Sequence, residues 1–136
     1  MDWWNDMKVI SVQQPFATLI AEGLKEYEFR TWQTPYRGEL LIHAAKTVRK
    51  KALKKFENYG LEFPTGCIIA KVTVIDCVKV TDELVAQLVA KEPVVYSGFA
   101  EEPEWEGYGF KLEDVTKIEP IYVDGKLGLW DFELEE

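Results

Sequence analysis

The run from Cys67 to Val80 constrains the fold of this 136-residue chain more than any other stretch. It is rich in β-branched residues and contains neither proline nor glycine, a pattern typical of a buried β-strand. A strand of this length needs hydrogen-bonding partners along both of its edges. We therefore predict one long, bent strand within a closed or nearly closed barrel.

Strand-like segments also outnumber helical ones in the rest of the chain. Alternating or apolar runs predict strands at Lys8–Gln13, 26–32, Glu39–Ala45, 108–112, Ile118–Val123 and Leu127–Leu134, with a hairpin turn at Asp124-Gly125. Apolar residues at helical spacing predict short helices at 15–23, at Thr47–Tyr59 and after an N-cap at Thr81. Because strands and helices do not alternate regularly, we expect a single α+β domain over residues 1–136. Its architecture should be a small, mostly antiparallel β-barrel with short helices packed at its ends.

The charge distribution restricts how this chain could contact nucleic acid. The net charge of −8 argues against an indiscriminate nucleic-acid binder, but residues 1–60 carry 10 Lys and Arg against 7 Asp and Glu. Residues 61–136 carry 6 against 17, so this half would repel a long phosphate backbone. Phosphate contacts should therefore come from Lys25, Arg30, Arg37 and the Lys46–Lys55 cluster. This favours a nucleotide or a short single strand over a long duplex.

Composition also bears on location and cofactors. No apolar run approaches the ~20 residues that span a membrane, and the acidic N-terminus is unlike a signal peptide, so we expect a cytoplasmic protein with no membrane contact. Cys67, Cys77 and the single histidine show no metal-ligand spacing, so no metal or other cofactor is expected. Trp3 and Trp4 are costly to expose and should pack on the domain or on a partner.

Alternation along residues 23–32 groups three functional side chains on one strand face. Tyr27 and Phe29 form the natural core face, which leaves Glu28, Arg30 and Trp32 together on the other. Three such side chains next to one another suit a planar polar ligand. The carboxylate supplies acceptors, the guanidinium supplies donors and the indole supplies a stacking surface. The alternative is a solvated strand face with an ordinary ion pair.

Aromatic and basic residues interleave around this stretch, as in sites that stack single-stranded bases. The amides of Gln13 and Gln14 could read a base edge, or they could satisfy backbone at a turn. The predicted cleft has Trp32 at its edge and Lys25 and Arg37 at its mouth. The predicted ligand-binding residues are Gln13, Gln14, Lys25, Glu28, Arg30, Trp32, Tyr36, Arg37, His43 and Lys46.

Acid–base catalysis is a further possibility at the same positions. Lys25, Glu28 and His43 could supply the acid and base, since a carboxylate beside an amine tunes both groups. Thr31 or Thr34 could serve as a nucleophile, although nothing nearby marks either as activated. His43 could equally be a hydrogen-bonded core residue.

The motif Gly23-x-Lys25-x-x-Glu28-x-Arg30, called here the central motif, matches in full the G-x-K-x-x-E-x-R signature of the activating signal cointegrator homology (ASCH) domains. The opening Ile10–Ala17, the following Thr31–Gly38 and the closing Gly125–Trp130 resemble the branch that includes the C-terminal domain of the eukaryotic cointegrator. The resemblance covers nearly the whole chain.

This resemblance implies a PUA-like β-barrel, with the central motif lining a cleft that recognises RNA or a nucleotide. Some members hydrolyse amides of cytidine with a Lys, a Thr and a Glu. Their Lys position matches Lys25, but their Thr position falls on Glu28 and their Glu position falls at about Lys71. Metal-assisted RNA cleavage is another family activity, and this chain shows no compact carboxylate cluster for it. A binding module is therefore expected ahead of an amidohydrolase or a ribonuclease.

Overall fold

A computed structural model describes residues 6–133; Trp3 and Trp4 lie outside them. The strands are β1 (Asp6–Gln14), β2 (Tyr27–Arg30), β3 (Gly38–Val48), β4 (Cys67–Lys79), β5 (Tyr108–Tyr122) and β6 (Leu129–Glu133). The helices are α1 (Phe16–Ala21), α2 (Lys50–Lys54), α3 (Asp82–Lys91) and α4 (Gly98–Glu101). Within the described part of the chain, the helices are too short and too polar to cross a lipid bilayer.

The predicted long strand is present as β4, which lies in the middle of the sheet. It pairs antiparallel with β3 on one edge and with β5 on the other. Its register with β5 shifts three times, between Ile68 and Ala70, Lys71 and Thr73, and Val74 and Asp76. At the first two shifts the extra residues lie on β5, and only at the third does the extra residue lie on β4. A bulge bends the strand that carries the extra residue. The pairing along both edges of β4 is therefore confirmed, and its bending stays a prediction.

The six strands form one sheet in the order β2-β5-β4-β3-β1-β6. Four of the five strand pairs are antiparallel, and the β1–β3 pair is parallel. The prediction of a mostly antiparallel α+β fold is confirmed, but the prediction of a closed barrel is wrong. Within residues 6–133, β2 and β6 end the sheet and do not pair. Closure needs the two outer strands to meet, and β2 has only four residues with which to extend the sheet.

The predicted hairpin at Asp124-Gly125 is wrong, because β5 and β6 are not neighbours. β5 runs unbroken from Tyr108 to Tyr122, and β6 crosses to the opposite end of the sheet and pairs with β1. The connecting segment packs tightly at Gly125, where an added Cβ would lie 2.6 Å from Ser11 Oγ. Gly125 therefore lets the connecting segment pass close to Ser11 and His43, and it does not form the tight turn of a hairpin.

The helix that we predicted at Thr47–Tyr59 is much shorter. Its first residues continue β3, and only Lys50–Lys54 are helical. The backbone N–H of Arg49 donates to the carbonyl of Gln14 at 2.8 Å, so β1 holds the start of this segment. In contrast, α3 follows its prediction, with Thr81 Oγ1 accepting from Leu84 N at 3.1 Å.

Buried side chains form two main apolar clusters that meet near α1. One lies against the sheet and includes Ile10, Ile42 and Phe110. The other lies between α1 and the α3–α4 region and includes Leu19, Phe56 and Tyr96. The predicted core residue Tyr27 belongs to the second cluster, and Phe29 packs against it. β2 therefore carries one core face and one face that is directed away from this cluster.

Candidate functional site

A cavity of about 550 Å³ opens between β1, the end of β2 and the α4 region. Its aromatic lining comes from Phe16, Phe29, Trp32, Tyr96, Phe99 and Trp105. Its charged lining comes from Lys25, Glu28, Arg30, Arg49 and Glu102. The volume falls within the range of roughly 300–1,000 Å³ that is usual for small-molecule sites. The cavity is thus large enough for one base with its sugar.

Glu28 is the buried centre of the polar lining, with only 6% of its surface exposed. Its Oε2 accepts from Arg30 Nε at 2.9 Å, and its Oε1 lies 3.4 Å from Lys25 Nζ. Buried charges are tolerated when they are paired and hydrogen-bonded. The strand alternation places Glu28 and Arg30 on one face of β2, and Lys25 approaches from the turn before it.

Lys25 lies inside the protein and not at the mouth of the cavity, so its predicted position was wrong. It is 5% exposed, it donates to the carbonyl of Tyr27, and its Nζ lies 4.7 Å from the centre of the Phe29 ring. Burial lowers the pKa of Lys25, while the charge of Glu28 acts against this shift. The aliphatic stem and the aromatic neighbours explain why a lysine is accommodated here.

Arg30 is fixed at both sides of its guanidinium. Its Nε bonds to Glu28 and its Nη2 donates to the backbone carbonyl of Ser11 on β1. About a quarter of its side chain, 24%, remains exposed toward the cavity. Because the fork is already oriented, little side-chain entropy remains to be lost when it meets a ligand.

The side chain of Ser11 is itself held by a buried network. His43 Nε2 donates to the carbonyl of Val123 at 2.7 Å, because a carbonyl can only accept. Its Nδ1 lies 3.1 Å from the Ser11 hydroxyl, within hydrogen-bonding distance. Trp130 Nε1 donates to the same hydroxyl at 3.3 Å. His43 thus reaches the cavity only through Ser11, whose carbonyl holds Arg30.

The aromatic walls come from two distant parts of the chain. Phe29 meets Phe99 edge to face at 4.9 Å and Trp105 at 6.3 Å between ring centres. Trp32 also lines the cavity and is half-buried against Phe110, with 5.3 Å between the ring centres. Rings held in this way leave faces and edges on which a planar group can stack.

Five of the predicted ligand-binding residues line the cavity, namely Gln13, Lys25, Glu28, Arg30 and Trp32. The other five lie elsewhere, and each has another role. Gln14 is fully buried and bonds Thr18 Oγ1 and the Pro64 carbonyl, and the Tyr36 hydroxyl donates to the Glu39 carbonyl. Arg37 lies 3.6 Å from Asp76, His43 belongs to the Ser11 network, and Lys46 pairs with exposed Asp124 at 3.1 Å.

Sequence reasoning missed the wall that α4 and its flanking turns provide. Tyr96, Phe99 and Trp105 line the cavity, and none of them was among the predicted ligand-binding residues. Aromatic residues among the acidic residues of this segment were the available signal. Arg49 also lines the cavity; it belongs to the Lys46–Lys55 cluster from which phosphate contacts were expected, but it was not among the predicted ligand-binding residues.

The described residues contain no cluster of side chains of the kind that holds a metal ion. Between Asp6 and Glu133, no three His, Cys, Asp or Glu side chains cluster closely enough to hold a metal ion. Lys71 stands at the position where the amide-hydrolysing relatives would have a glutamate. Its Nζ pairs with Glu39 Oε2 at 3.0 Å.

Comparison with known proteins adds family information to this geometry. The model of the ASCH domain matches residues 10–121. "Activating signal cointegrator 1" of Homo sapiens is 36% identical over 80 residues, and its Mus musculus counterpart is 34% identical over the same length. These matches cover 50% of this chain but only 14% of either relative.

Solved structures resemble the fold over most of the chain. The crystal structure of ASCH from Zymomonas mobilis has a TM-score of 0.57 at 21% identity, covering 85% of this chain and 73% of that one. The match to a variant of the same protein has a TM-score of 0.55 at 22% identity. It covers 85% of this chain and 75% of the variant's chain. At this level of identity the likeness concerns the fold alone.

Proposed function

The chain belongs to the ASCH domain family, and we propose that residues 1–136 act as one PUA-like domain that binds RNA. In this proposal, a base or a short single strand enters the cavity lined by Lys25, Glu28 and Arg30 of the central motif. One observation carries the proposal. A buried carboxylate stands between two cations at the floor of a cavity whose walls are largely aromatic.

The walls favour a planar ligand. Base–aromatic stacking contributes about 1–3 kcal/mol per base, and it tolerates any base because each has a π face. Trp32, Phe99 and Trp105 all line the cavity. A base stacked on any of these rings would replace water on that face of the ring.

The polar groups favour a ligand that carries both donors and acceptors. Each oxygen of Glu28 accepts one contact from its cations, and a carboxylate oxygen can accept a second. An exocyclic amino group of a base is a suitable donor to it. Arg30 can donate to a base carbonyl or to a phosphate. Such charge-assisted bonds contribute most where water is excluded.

Arg30→Ala provides the main test of this proposal. It should weaken binding of a short single-stranded RNA by roughly 1–3 kcal/mol, the range for hydrogen bonds to charged groups. Lys54→Ala, on α2, is the matched control and should change affinity little, mainly through its salt dependence. Fluorescence anisotropy with a labelled oligonucleotide at two salt concentrations would measure both effects.

The opposite ranking would contradict the proposal. If Arg30→Ala binds RNA like the wild type while Lys54→Ala does not, the basic face of α2 is the binding surface and the cavity is not. Circular dichroism should show both variants folded, because neither change removes core volume and Lys25 still pairs with Glu28 when Arg30 is lost. The Arg30→Ala variant should nevertheless unfold more easily than Lys54→Ala, because Glu28 is buried and loses one of its two cations.

A second candidate function is hydrolysis of a nucleoside amide such as acetylcytidine. The observation in its favour is Lys25, a buried amine whose pKa is lowered by burial and which therefore gives up its proton more readily. Against it, the residue three positions later is Glu28, and a carboxylate offers no hydroxyl for Lys25 to deprotonate. RNA cleavage is a weaker alternative for this chain.

We expect no efficient deacetylation of acetylcytidine by this protein. Chromatography of the reaction mixture would detect released cytidine. Turnover on the order of 1–10³ per second, lost in Lys25→Ala, would contradict this expectation and show that another group acts as the nucleophile.

A further inference from the structure

We propose that Arg49 binds a phosphate of the RNA strand, so that the cavity recognises a phosphate-bearing nucleotide unit and not a free nucleoside. This inference rests on the proposed function and deepens it. It assigns the ligand class and the side of the cavity along which the strand leaves.

Arg49 differs from the other two cations of the cavity in forming no ion pair with the residues that the structure describes. Lys25 and Arg30 are committed to Glu28 and to the carbonyls of Tyr27 and Ser11. Arg49 forms no ion pair with any residue between Asp6 and Glu133, and its side chain is exposed. A guanidinium at the opening of a cavity, with its donor fork unused, suits a phosphate.

The backbone of Arg49 is held firmly, which gives this guanidinium a fixed base. Its N–H donates to the carbonyl of Gln14 at 2.8 Å, and its own carbonyl accepts from Leu53 N at 2.8 Å. Gln14 is fully buried at the end of β1. The first connection ties Arg49 to β1, the strand that also supplies Ser11 to the cavity wall.

The residues that follow Arg49 in the chain and those around Glu102 carry opposite charge. After Arg49, Lys50 and Lys54 are exposed and form no ion pair within the described chain. Lys51 and Lys55 both pair with Glu101, at 3.0 and 3.4 Å. Glu102 lines the cavity, and Glu104 and Glu106 beside it in the chain are exposed. A phosphodiester strand would therefore be repelled near Glu102 and attracted to the side of Arg49.

The test compares two RNA trinucleotides of one sequence, one with natural phosphodiester linkages and one with neutral methylphosphonate linkages. Wild type, Arg49→Gln and the matched control Lys54→Gln are titrated with both. Wild type should prefer the natural strand by about tenfold, as expected for a charge-assisted contact at a partly exposed site. Arg49→Gln should lose this preference and bind both strands as wild type binds the neutral one. Lys54→Gln should retain most of it.

Several results would overturn the inference. Arg49→Gln could keep the full preference, Lys54→Gln could remove it, or wild type could bind both strands equally. In each case RNA binding in the cavity would stand and the role of Arg49 would fall. If wild type binds neither strand, the proposed function falls together with this inference.

Discussion

Glu28 sets the electrostatics of the site at the scale of single residues. Glu28 is 6% exposed, and its negative charge is balanced by Lys25 and Arg30. Removing either cation would leave this charge only partly balanced, which destabilises a buried group. The three side chains therefore fix one another before any ligand arrives. Burial lowers the pKa of Lys25, although the charge of Glu28 acts against this shift.

Tyr96 forms part of the cavity wall, and its pH response can be predicted. Burial raises the pKa of its hydroxyl from 10.0 to about 12, and this hydroxyl accepts from the backbone N–H of Glu26 at 3.0 Å. Between these two values the unfolded chain releases the proton while the folded protein keeps it. The stabilisation is thus fully present below the unfolded pKa and is lost as pH rises through this window.

Denaturant unfolding of wild type and Tyr96→Phe, at pH values below 10 and at about pH 11, would measure this effect. Wild type should lose more stability than the variant over that interval, by about 1–2 kcal/mol. Equal losses in both proteins, or titration of Tyr96 near the value of a free tyrosine in the folded state, would show that its burial does not hold the proton.

At the scale of elements, β1 connects the cavity to the far end of the sheet. It pairs with β3 and β6, and Ser11 on this strand contacts Arg30 with its carbonyl and His43 with its hydroxyl. The segment before β6 closes over this network at Gly125. A change in that segment should therefore be felt at Arg30.

Gly125→Ala should destabilise the protein by about 1–3 kcal/mol, the usual cost of overpacking. The added Cβ would lie 2.6 Å from Ser11 Oγ and 2.8 Å from His43 Cε1, and neither atom is the end of a flexible chain. Gly98→Ala is the control, because a Cβ there would have no neighbour within 4 Å. Thermal unfolding of the two variants should separate them. Equal stability of Gly125→Ala and wild type would mean that the crossing is not tightly packed.

Elements with a strong local signal were predictable from the sequence, and their pairing was not. β4 and α3 follow directly from a β-branched run and from a capped apolar stripe. Asp124-Gly125 has the composition of a hairpin turn, but the pairing of β6 with β1 decides its conformation. The apolar spacing from Val48 to Phe56 favours a helix over this whole stretch, but the hydrogen bond from Arg49 N–H to the Gln14 carbonyl keeps Arg49 outside the helix.

At the scale of the whole molecule, the site combines parts that lie far apart in sequence. The alternation along β2 predicted that Glu28, Arg30 and Trp32 share a face, because that alternation is a local property. No local property brings Tyr96, Phe99 and Trp105 into the same cavity, since this depends on how α3 and α4 pack on α1 and β2. The same packing brings Lys51 and Lys55 of the basic first half against Glu101 of the acidic second half.

The most direct test of RNA binding in the cavity is a titration of the uniformly ¹⁵N-labelled protein with a short single-stranded RNA, followed by the indole N–H signals. Trp32 and Trp105 line the cavity, whereas residues 116–119 of β5 are not among its lining residues, so their backbone N–H signals serve as an internal control. Ligand entry should shift the Trp32 and Trp105 signals together, with one saturation curve, and should leave the signals of residues 116–119 much less affected. Saturable binding that leaves the Trp32 and Trp105 signals in place would contradict the assignment of the cavity as the binding site.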